Sequence, residues 1–414
     1  MGASTGTART IWLAVILLAP VALLNYLDRQ MLASMKFSVM ADIRDVRTDA
    51  HWGMMLAQFK WVYAVLSPIG GYLADRFSRK WIICFSLVAW SSITWLTGHA
   101  HSFQELLWAR TSMGISEAFY IPAGLALIVD YHSGPTKSRA TGIHMAAIYV
   151  GVIFGGFAGY VADAPDLGWR LAFNLTGAIG VIYVVPLLFL LRDAPRASDR
   201  KPMRVSPVGA LGSLLRNPSF LCLAICFTLI AWPGWMMKDW MPAMLKTRFE
   251  LSQGKAGISA GLYVNLACIA GVVLGGFLAD RWVLKTLKGR VFVSAIGTSI
   301  VIPALFGLGF APSLAVAIVF LALFGLGFGM FDCNNMPIVS QLVAPELRAT
   351  AYGLMNFISI GLGGFADVAV GRLRDAGVSF PMILSLAAVV VMMNVVLILL
   401  IRPRPSLTNE SSLP

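Results

Sequence analysis

The chain has 414 residues, of which 58% are apolar (Ala, Val, Ile, Leu, Met, Phe, Trp, Tyr or Cys) and only 13% charged, with a net charge of +12. A soluble protein carries about 25% charged residues, and so few charges cannot cover a soluble surface of this size. A soluble enzyme and a single-span receptor are therefore excluded, because the roughly 240 apolar residues are enough for twelve spans of about 20.

Apolar runs bounded by polar or Gly/Pro punctuation predict spans at 11–35, 53–75, 81–98, 103–130, 138–162 and 171–191. They resume at 218–244, 255–280, 291–310, 313–340, 346–371 and 380–401. Met1 to Thr10 leads directly into the first span, which is too long for a cleaved leader. Between the sixth and seventh spans lies the one long polar stretch, holding Arg192, Arg196, Arg200, Lys201, Arg204 and Arg216 with Pro195, Pro202 and Pro207. The expected organisation is a bundle at 1–191, a cytoplasmic linker at 192–217 and a second bundle at 218–414.

With both termini in the cytoplasm, 19 Lys and Arg fall on the inner side, nine on the outer side and four within spans. That asymmetry sets the orientation and accounts for the basic balance without nucleic acid. The five Cys (Cys84, Cys222, Cys226, Cys268 and Cys333) lie in apolar segments with no CxxC or Cys/His grouping, so neither a disulfide framework nor a metal site is expected.

The two halves repeat. Gly70-Gly71-Tyr72-Leu73-Ala74-Asp75-Arg76 ends span 2, and Gly275-Gly276-Phe277-Leu278-Ala279-Asp280-Arg281 ends span 8, at an offset of 205. Arg139-Ala140-Thr141 opens span 5 and Arg348-Ala349-Thr350 opens span 11, at an offset of 209. The expected fold is an all-α membrane protein of twelve transmembrane helices in two six-helix bundles, related by an axis along the membrane normal, with a site between them.

The stretch Gly71-Tyr72-Leu73-Ala74-Asp75-Arg76-Phe77-Ser78-Arg79-Lys80 resembles the loop 2–3 signature of the major facilitator superfamily, with Ser78 where that family usually has Gly. The resemblance implies a cytoplasmic gate in which Asp75 faces the start of span 11 at Ala344-Pro345-Glu346. Pro suits a first helical turn, and the positive helix end attracts an anion. Arg76, Arg79, Asp130, Arg139, Asp280, Arg281 and Arg348 are the further candidates for this gate, Asp280 repeating the contact opposite the start of span 5 near Pro135. The alternative is that these charges only anchor the loops.

An ionisable residue within a span is costly and marks a functional hypothesis. The first half holds Asp28, Arg29, Lys60, Arg110, Glu117 and His144, and the second holds Lys238, Asp239, Asp332 and Asp367. Counting about 1.5 Å per residue places Asp28, Arg29, Lys60 and Arg110 at similar depth, roughly 10 Å below the outer surface. Glu117 lies two turns past Arg110 on the same helix face. A carboxylate left ionised without a partner in an apolar span takes a proton. Glu117 and Asp28 are thus candidate proton sites that are either protonated or paired with a cation such as Arg110. The alternative is a static salt bridge fixing span 1 to span 4.

Asn25-Tyr26-Leu27-Asp28-Arg29, with Arg110 and Glu117, resembles the anion:cation symporter branch of the superfamily, which includes sugar-acid/proton symporters and organic-anion carriers. That resemblance implies that the matching acids carry protons and that Arg29 contributes to binding the substrate anion. The same pattern resembles Spinster-type lipid transporters, as does Phe77-Ser78-Arg79-Lys80-Trp81. Lys60 adds a cation suited to a carboxylate substrate; its alternative is to neutralise Asp28. Tyr26, Tyr63, Gln58 and Trp61 are candidates for hydrogen bonding or stacking with substrate, or for packing. In span 10, Asp332-Cys333-Asn334-Asn335 before Pro337 is a polar patch. Its Asn334 and Asn335, with Asn356 and Asn265, can either contact substrate or join helices. Pro233-Gly234 before Lys238-Asp239 predicts either a broken span 7 with an outer gating part or ordinary ion pairing near the interface. His144 is a packing residue or a proton relay, and Asp367 is expected to be solvated at the outer mouth.

These features predict a proton-coupled symporter of a sugar acid or related organic anion, working by alternating access as a monomer in the cell membrane. A lipid or lysolipid carrier is the second reading, and a ligand-binding membrane sensor without net transport the third. No Walker loop and no nucleophile/base or metal set is visible. No enzyme activity and no cofactor beyond the proton are expected, and the partners expected are a small anionic substrate and the lipid bilayer.

Overall fold

The computed structural model describes residues 5–132, 136–194, 207–344 and 347–403. They form helices joined by short connections, with no strand among the described residues. Spans 1 to 3 are Thr5–Ser34, Asp49–Arg76 and Arg79–Thr97. Span 4 is split into Phe103–Glu117 and Tyr120–Tyr131, and spans 5 and 6 are Lys137–Asp163 and Gly168–Leu190. Span 7 is Pro218–Asp239, continued by the short helix Met241–Phe249, and spans 8 and 9 are Gln253–Val283 and Gly289–Phe310. Span 10 is split into Leu314–Asp332 and Asn335–Leu342, and spans 11 and 12 are Arg348–Asp375 and Phe380–Leu399. Two further short helices, Lys36–Asp42 and Pro207–Leu215, lie after span 1 and before span 7.

Eleven of these spans are long and apolar enough to cross a membrane. The exception, span 2, carries Gln58 and Lys60 in its middle. Several helix starts are fixed by a hydroxyl cap that accepts one of the orphan backbone N–H groups. Thr48 accepts from His51, Ser102 from Glu105, Ser313 from Val316 and Ser379 from Met382. Ser78 does the same for span 3, accepting from the Trp81 N–H at 3.3 Å. The residue that departs from the superfamily signature is thus the cap of the helix that follows it.

The sequence places the interruption of span 7 at Pro233-Gly234, but the helix runs through both and breaks at Trp240. The reason is Pro242, which sits in the first turn of Met241–Phe249. Proline is favourable at that position and lacks the N–H that would continue the preceding helix. Spans 4 and 10, the fourth of each half, are both interrupted directly after an acidic residue, Glu117 and Asp332.

Contacts divide the chain into two units. The first comprises the described residues of Met1–Asp199 with Lys238–Gly261 and Asp367–Arg372; the second comprises those of Arg200–Met237, Leu262–Ala366 and Leu373–Pro414. In the first unit span 1 packs along span 5, span 3 along span 6 and span 2 along span 4. Its core is built around Trp90, Tyr120, Leu18, Leu87 and Leu127. The close approach of spans 1 and 5 depends on Gly151, where a Cβ would lie 2.2 Å from the Leu23 carbonyl oxygen. In the second unit span 9 packs on spans 10 and 12, and Gly325 and Gly329 bring span 10 against the Val264 and Cys268 carbonyls of span 8.

Candidate transport site

Span 1 carries Tyr26 and Arg29 three residues apart, and span 2 carries Phe59 and Tyr63 four apart, so each pair shares a helix face. The four side chains meet. The Arg29 guanidinium lies 4.8 Å from the Tyr26 ring, 4.7 Å from Phe59 and 4.9 Å from Tyr63. Its Nε donates to Glu117 Oε2 at 2.7 Å, and the Glu117 side chain is fully buried. Glu117 is the last residue of its helix segment, so the interruption of span 4 follows directly on the ion pair. The sequence offered Arg110 as the partner of Glu117; the structure gives Arg29 instead. Arg110 lies about 10 Å further along span 4, whereas Arg29 reaches Glu117 from the neighbouring helix.

Arg110 is buried, lies with its guanidinium 4.6 Å from the Phe59 ring, and donates to Met113 Sδ at 3.1 Å. Among the described residues it has no carboxylate within ion-pair distance, and its Nε proton has no acceptor. It nevertheless lies in the field of Glu117, Asp239 and Asp28, and of the like charge on Arg29. Asp28, also buried, accepts from Thr94 Oγ1 of span 3 at 2.9 Å. Of the predicted cluster of Asp28, Arg29, Lys60, Arg110 and Glu117, the structure brings together Asp28, Arg29, Arg110 and Glu117, with Phe59 shared by the two guanidinium groups, and places Lys60 elsewhere.

Lys60 takes a different direction. Successive residues of a helix point about 100° apart, so Phe59 and Lys60 cannot both face Arg29. The Lys60 ammonium donates to Asp239 Oδ2 at 2.5 Å and Asp367 Oδ2 at 2.6 Å, and neither Asp28 nor the Arg29 pocket holds it. Asp367 is 1% exposed, which corrects the expectation of a solvated group at the outer mouth. Trp240 Nε1 donates to its second oxygen at 3.3 Å. Lys238 turns toward the Tyr26 ring, 6.0 Å away.

At the other end of these spans, Arg79 pairs with Asp130 and donates to the Ala126 carbonyl at 2.9 Å. The side chain of Asp75, and Pro135, Pro345 and Glu346, lie outside the described residues. Arg76 stacks on Tyr72 at 4.3 Å, Arg139 is exposed, and Arg281 stacks on Phe277 at 4.7 Å. Asp280, largely exposed, lies 3.6 Å from Arg290, and Arg348 donates to the Ser340 carbonyl at 3.0 Å. In span 10, the Asn334 amide donates to the Met330 carbonyl at 3.0 Å and Asn335 to Asp332 at 3.1 Å, so both serve the helix interruption. Gln58 and Asn356 are half-buried, and Tyr63 and Asn265 buried. His144 is buried with Nε2 3.0 Å from the Tyr120 hydroxyl.

Sequence reasoning missed Phe59, Thr94 and Trp240, which read as ordinary packing residues. It also missed Gln253, whose Oε1 accepts from the Phe37 and Ser38 N–H groups and whose Nε2 donates to Asp163 Oδ1 at 2.9 Å. No periodic or charge signal singled these out. The position of Phe59, four residues before Tyr63 on the face toward Arg29, was the one usable sign.

A polytopic helical protein with an internal six-span repeat and a buried charge cluster is a membrane carrier by class. Residues 18–366 match the Major Facilitator Superfamily, and the chain belongs to that family: it is a multi-pass membrane transporter, with the family and fold of transporters and not of enzymes. It is 28% identical over 370 residues to an MFS-type efflux pump of Mycolicibacterium smegmatis, covering 89% of this chain and 85% of that one. It is 30% identical over 307 residues to human protein spinster homolog 1, covering 69% of this chain and 57% of the relative. The chain thus spans little more than half the length of the Spinster relatives it matches. Its fold is similar to a crystal structure of a bacterial homologue of the human lysosomal transporter Spinster in an inward-facing, unoccupied conformation. The TM-score is 0.76 at 21% identity, over 97% of this chain and 95% of that one. The occupied form of that homologue gives a TM-score of 0.78 over 94% and 96%.

Proposed function

We propose that this transporter is a proton-coupled carrier of an amphiphilic organic anion, of the lipid or lysolipid kind, with both termini on the cytoplasmic side of the cell membrane. The observation that carries this reading is the Arg29 guanidinium, held by one buried carboxylate and enclosed by three aromatic rings. While Glu117 is ionised, it satisfies Arg29. When Glu117 takes a proton, the cation is left facing aromatic rings, and a substrate anion replaces the lost carboxylate. Proton and anion therefore bind together, which is the condition for symport. Arg110, without a carboxylate of its own, adds a second attraction for the anion, and Asp28 offers a second acid beside Glu117. Tyr26, Phe59 and Tyr63 give an apolar bed for the rest of the molecule.

The likeness to Spinster relatives supports an amphiphile. So does the donation of the Asn334 and Asn335 amide N–H groups within span 10, which takes those two donors away from sugar hydroxyls. A sugar acid is the second reading, favoured by half-buried Gln58 on the same span as Lys60. The test is uptake into proteoliposomes under an imposed proton gradient, comparing a lysophospholipid with a hexuronate. Gradient-driven accumulation of the lysophospholipid alone supports the first reading, and of the hexuronate alone the second. Accumulation that ignores the proton gradient for both refutes proton coupling.

A further inference from the structure

The cluster around Lys60 has ion pairs of its own, distinct from Arg29–Glu117. One ammonium on span 2 holds a carboxylate from the end of span 7 and another from span 11, with side-chain exposures of 4%, 14% and 2% for Lys60, Asp239 and Asp367. Two oxygens that both touch one nitrogen lie within about 5 Å of each other, so a single ammonium answers two like charges and a proton on either acid lowers their mutual repulsion.

Arg110 lies in the field of Asp239, and it also answers Glu117 and Asp28. Lys238, half-buried, is directed at Tyr26. Lys36 pairs with Asp49 while stacking 4.7 Å from the Trp240 ring, and that pair is neutral by itself. The Trp240 indole contributes one hydrogen bond to Asp367 and no charge. Within the trio, two carboxylates face one ammonium, and a single proton on either acid balances the charge.

The backbone makes the same contact a seal. A Cβ on Gly53 of span 2 would lie 2.4 Å from the Asp367 carbonyl oxygen, and one on Gly371 would lie 2.3 Å from that of Asp49. Span 11 is thus pressed against the start of span 2, between the ion cluster and the loop that joins spans 1 and 2. At about 1.5 Å per residue, Lys60 lies about 16 Å and Asp367 about 12 Å from the span ends on the side of the loop between spans 1 and 2. Glu117 lies about 21 Å from that same side. By that count Asp367 lies nearer this side than Glu117 does.

We propose that Lys60, Asp239 and Asp367 form a second proton-binding site, which clamps the ends of spans 7 and 11 to span 2 while ionised and releases them on taking a proton. This rests on the reading of the chain as a proton-coupled transporter. It assigns Lys60 to the clamp and not to the substrate.

The test is hydrogen–deuterium exchange of the full chain in lipid nanodiscs, corrected for intrinsic rates, with uptake measured on the same preparations. In the wild-type protein, exchange in peptides covering 49–60, 238–252 and 366–373 should rise on stepping from mildly alkaline to mildly acidic buffer. The slope of a one-proton equilibrium limits the rise to about tenfold per pH unit. Asp239→Asn and Asp367→Asn should each flatten the response, and Glu117→Gln should keep it. If Asp367→Asn does not fold, Asp239→Asn, at the more exposed acid, carries the test alone. Responses in Asp239→Asn like those of the wild type overturn the proposal. So does a flat wild-type response in a protein whose uptake still follows the proton gradient, an outcome that leaves the proton-coupled reading standing. A wild-type response that Asp239→Asn removes, in a protein whose uptake ignores the gradient, keeps the clamp and refutes the coupling.

Discussion

Replacing Glu117 by Gln keeps the shape of the site and removes the charge that Arg29 answers. Breaking a buried ion pair from one side costs about 3–5 kcal/mol in soluble proteins. Two features reduce that here. The three aromatic rings around Arg29 remain, each worth about 0.5–2 kcal/mol to a cation. Polar groups inside a membrane also find other partners, so measured losses there average about 0.6 kcal/mol. The expected destabilisation is therefore about 1–3 kcal/mol, seen as a lower melting temperature in detergent with the protein still folded.

The functional effect should be larger and of a different kind. In the wild type, the affinity for an anion at Arg29 should rise as pH falls, because protonation of Glu117 frees the guanidinium. The sign is fixed: the acid form binds substrate and the ionised form competes with it. Glu117→Gln should bind at all pH values as the wild type does at low pH, and should exchange labelled for unlabelled substrate across the membrane. It should not accumulate substrate against a gradient when a proton gradient is imposed. Wild-type accumulation by Glu117→Gln, or an unchanged pH dependence of binding, would refute the exchange of carboxylate for substrate anion.

Arg110→Met should raise the apparent substrate constant by about tenfold or more, equivalent to about 1.4 kcal/mol, while lowering the melting temperature less than Arg29→Met. Equal losses of stability would mean that Arg110 is a structural cation like Arg29. Ser78→Ala should cost about 1 kcal/mol by removing the cap of span 3, whereas Ser78→Gly, the usual residue of the family at this position, should cost only a few tenths; thermal melting of the two variants checks the order. Gly151→Val should destabilise by about 1–3 kcal/mol through overpacking against the Leu23 carbonyl. Gly142→Val, where a Cβ meets nothing within 4 Å, is the control, and equal melting temperatures for the pair would sink the packing argument.

Much of the fold was readable because its signals are local. Apolar runs, the Gly-Gly-x-Leu-Ala-Asp-Arg repeat and the hydroxyl caps each depend on residues close in sequence. The interruption of span 7 was misplaced because Pro233 was read as a breaker, while Pro242 was the residue in a position to start a new helix. Within the site, depth grouped Asp28, Arg29, Lys60 and Arg110 with Glu117, and the structure brings together all of these but Lys60. Depth does not give direction around a helix, and for that reason the partner of Glu117 and the partners of Lys60 were not legible.

Lys60 shows what direction adds. The sequence-based spans put it at the depth of Arg29, and depth suggested a shared anion. One position along the same helix, Phe59 faces Arg29 and Arg110, so Lys60 is turned by about 100° toward spans 7 and 11. The same two polar residues, Gln58 and Lys60, leave span 2 short of the apolarity that its eleven counterparts reach. A span built only for the bilayer would not carry them. Span 2 tolerates Lys60 because Asp239 and Asp367 answer its charge inside the protein, so the span depends on contacts with distant segments for its own place in the membrane. Whatever loosens those contacts loosens span 2, and the face of span 2 that bears Phe59 and Tyr63 is also a wall of the Arg29 pocket. The clamp and the pocket are therefore two faces of one helix, which gives proton binding at the first a direct physical route to the second.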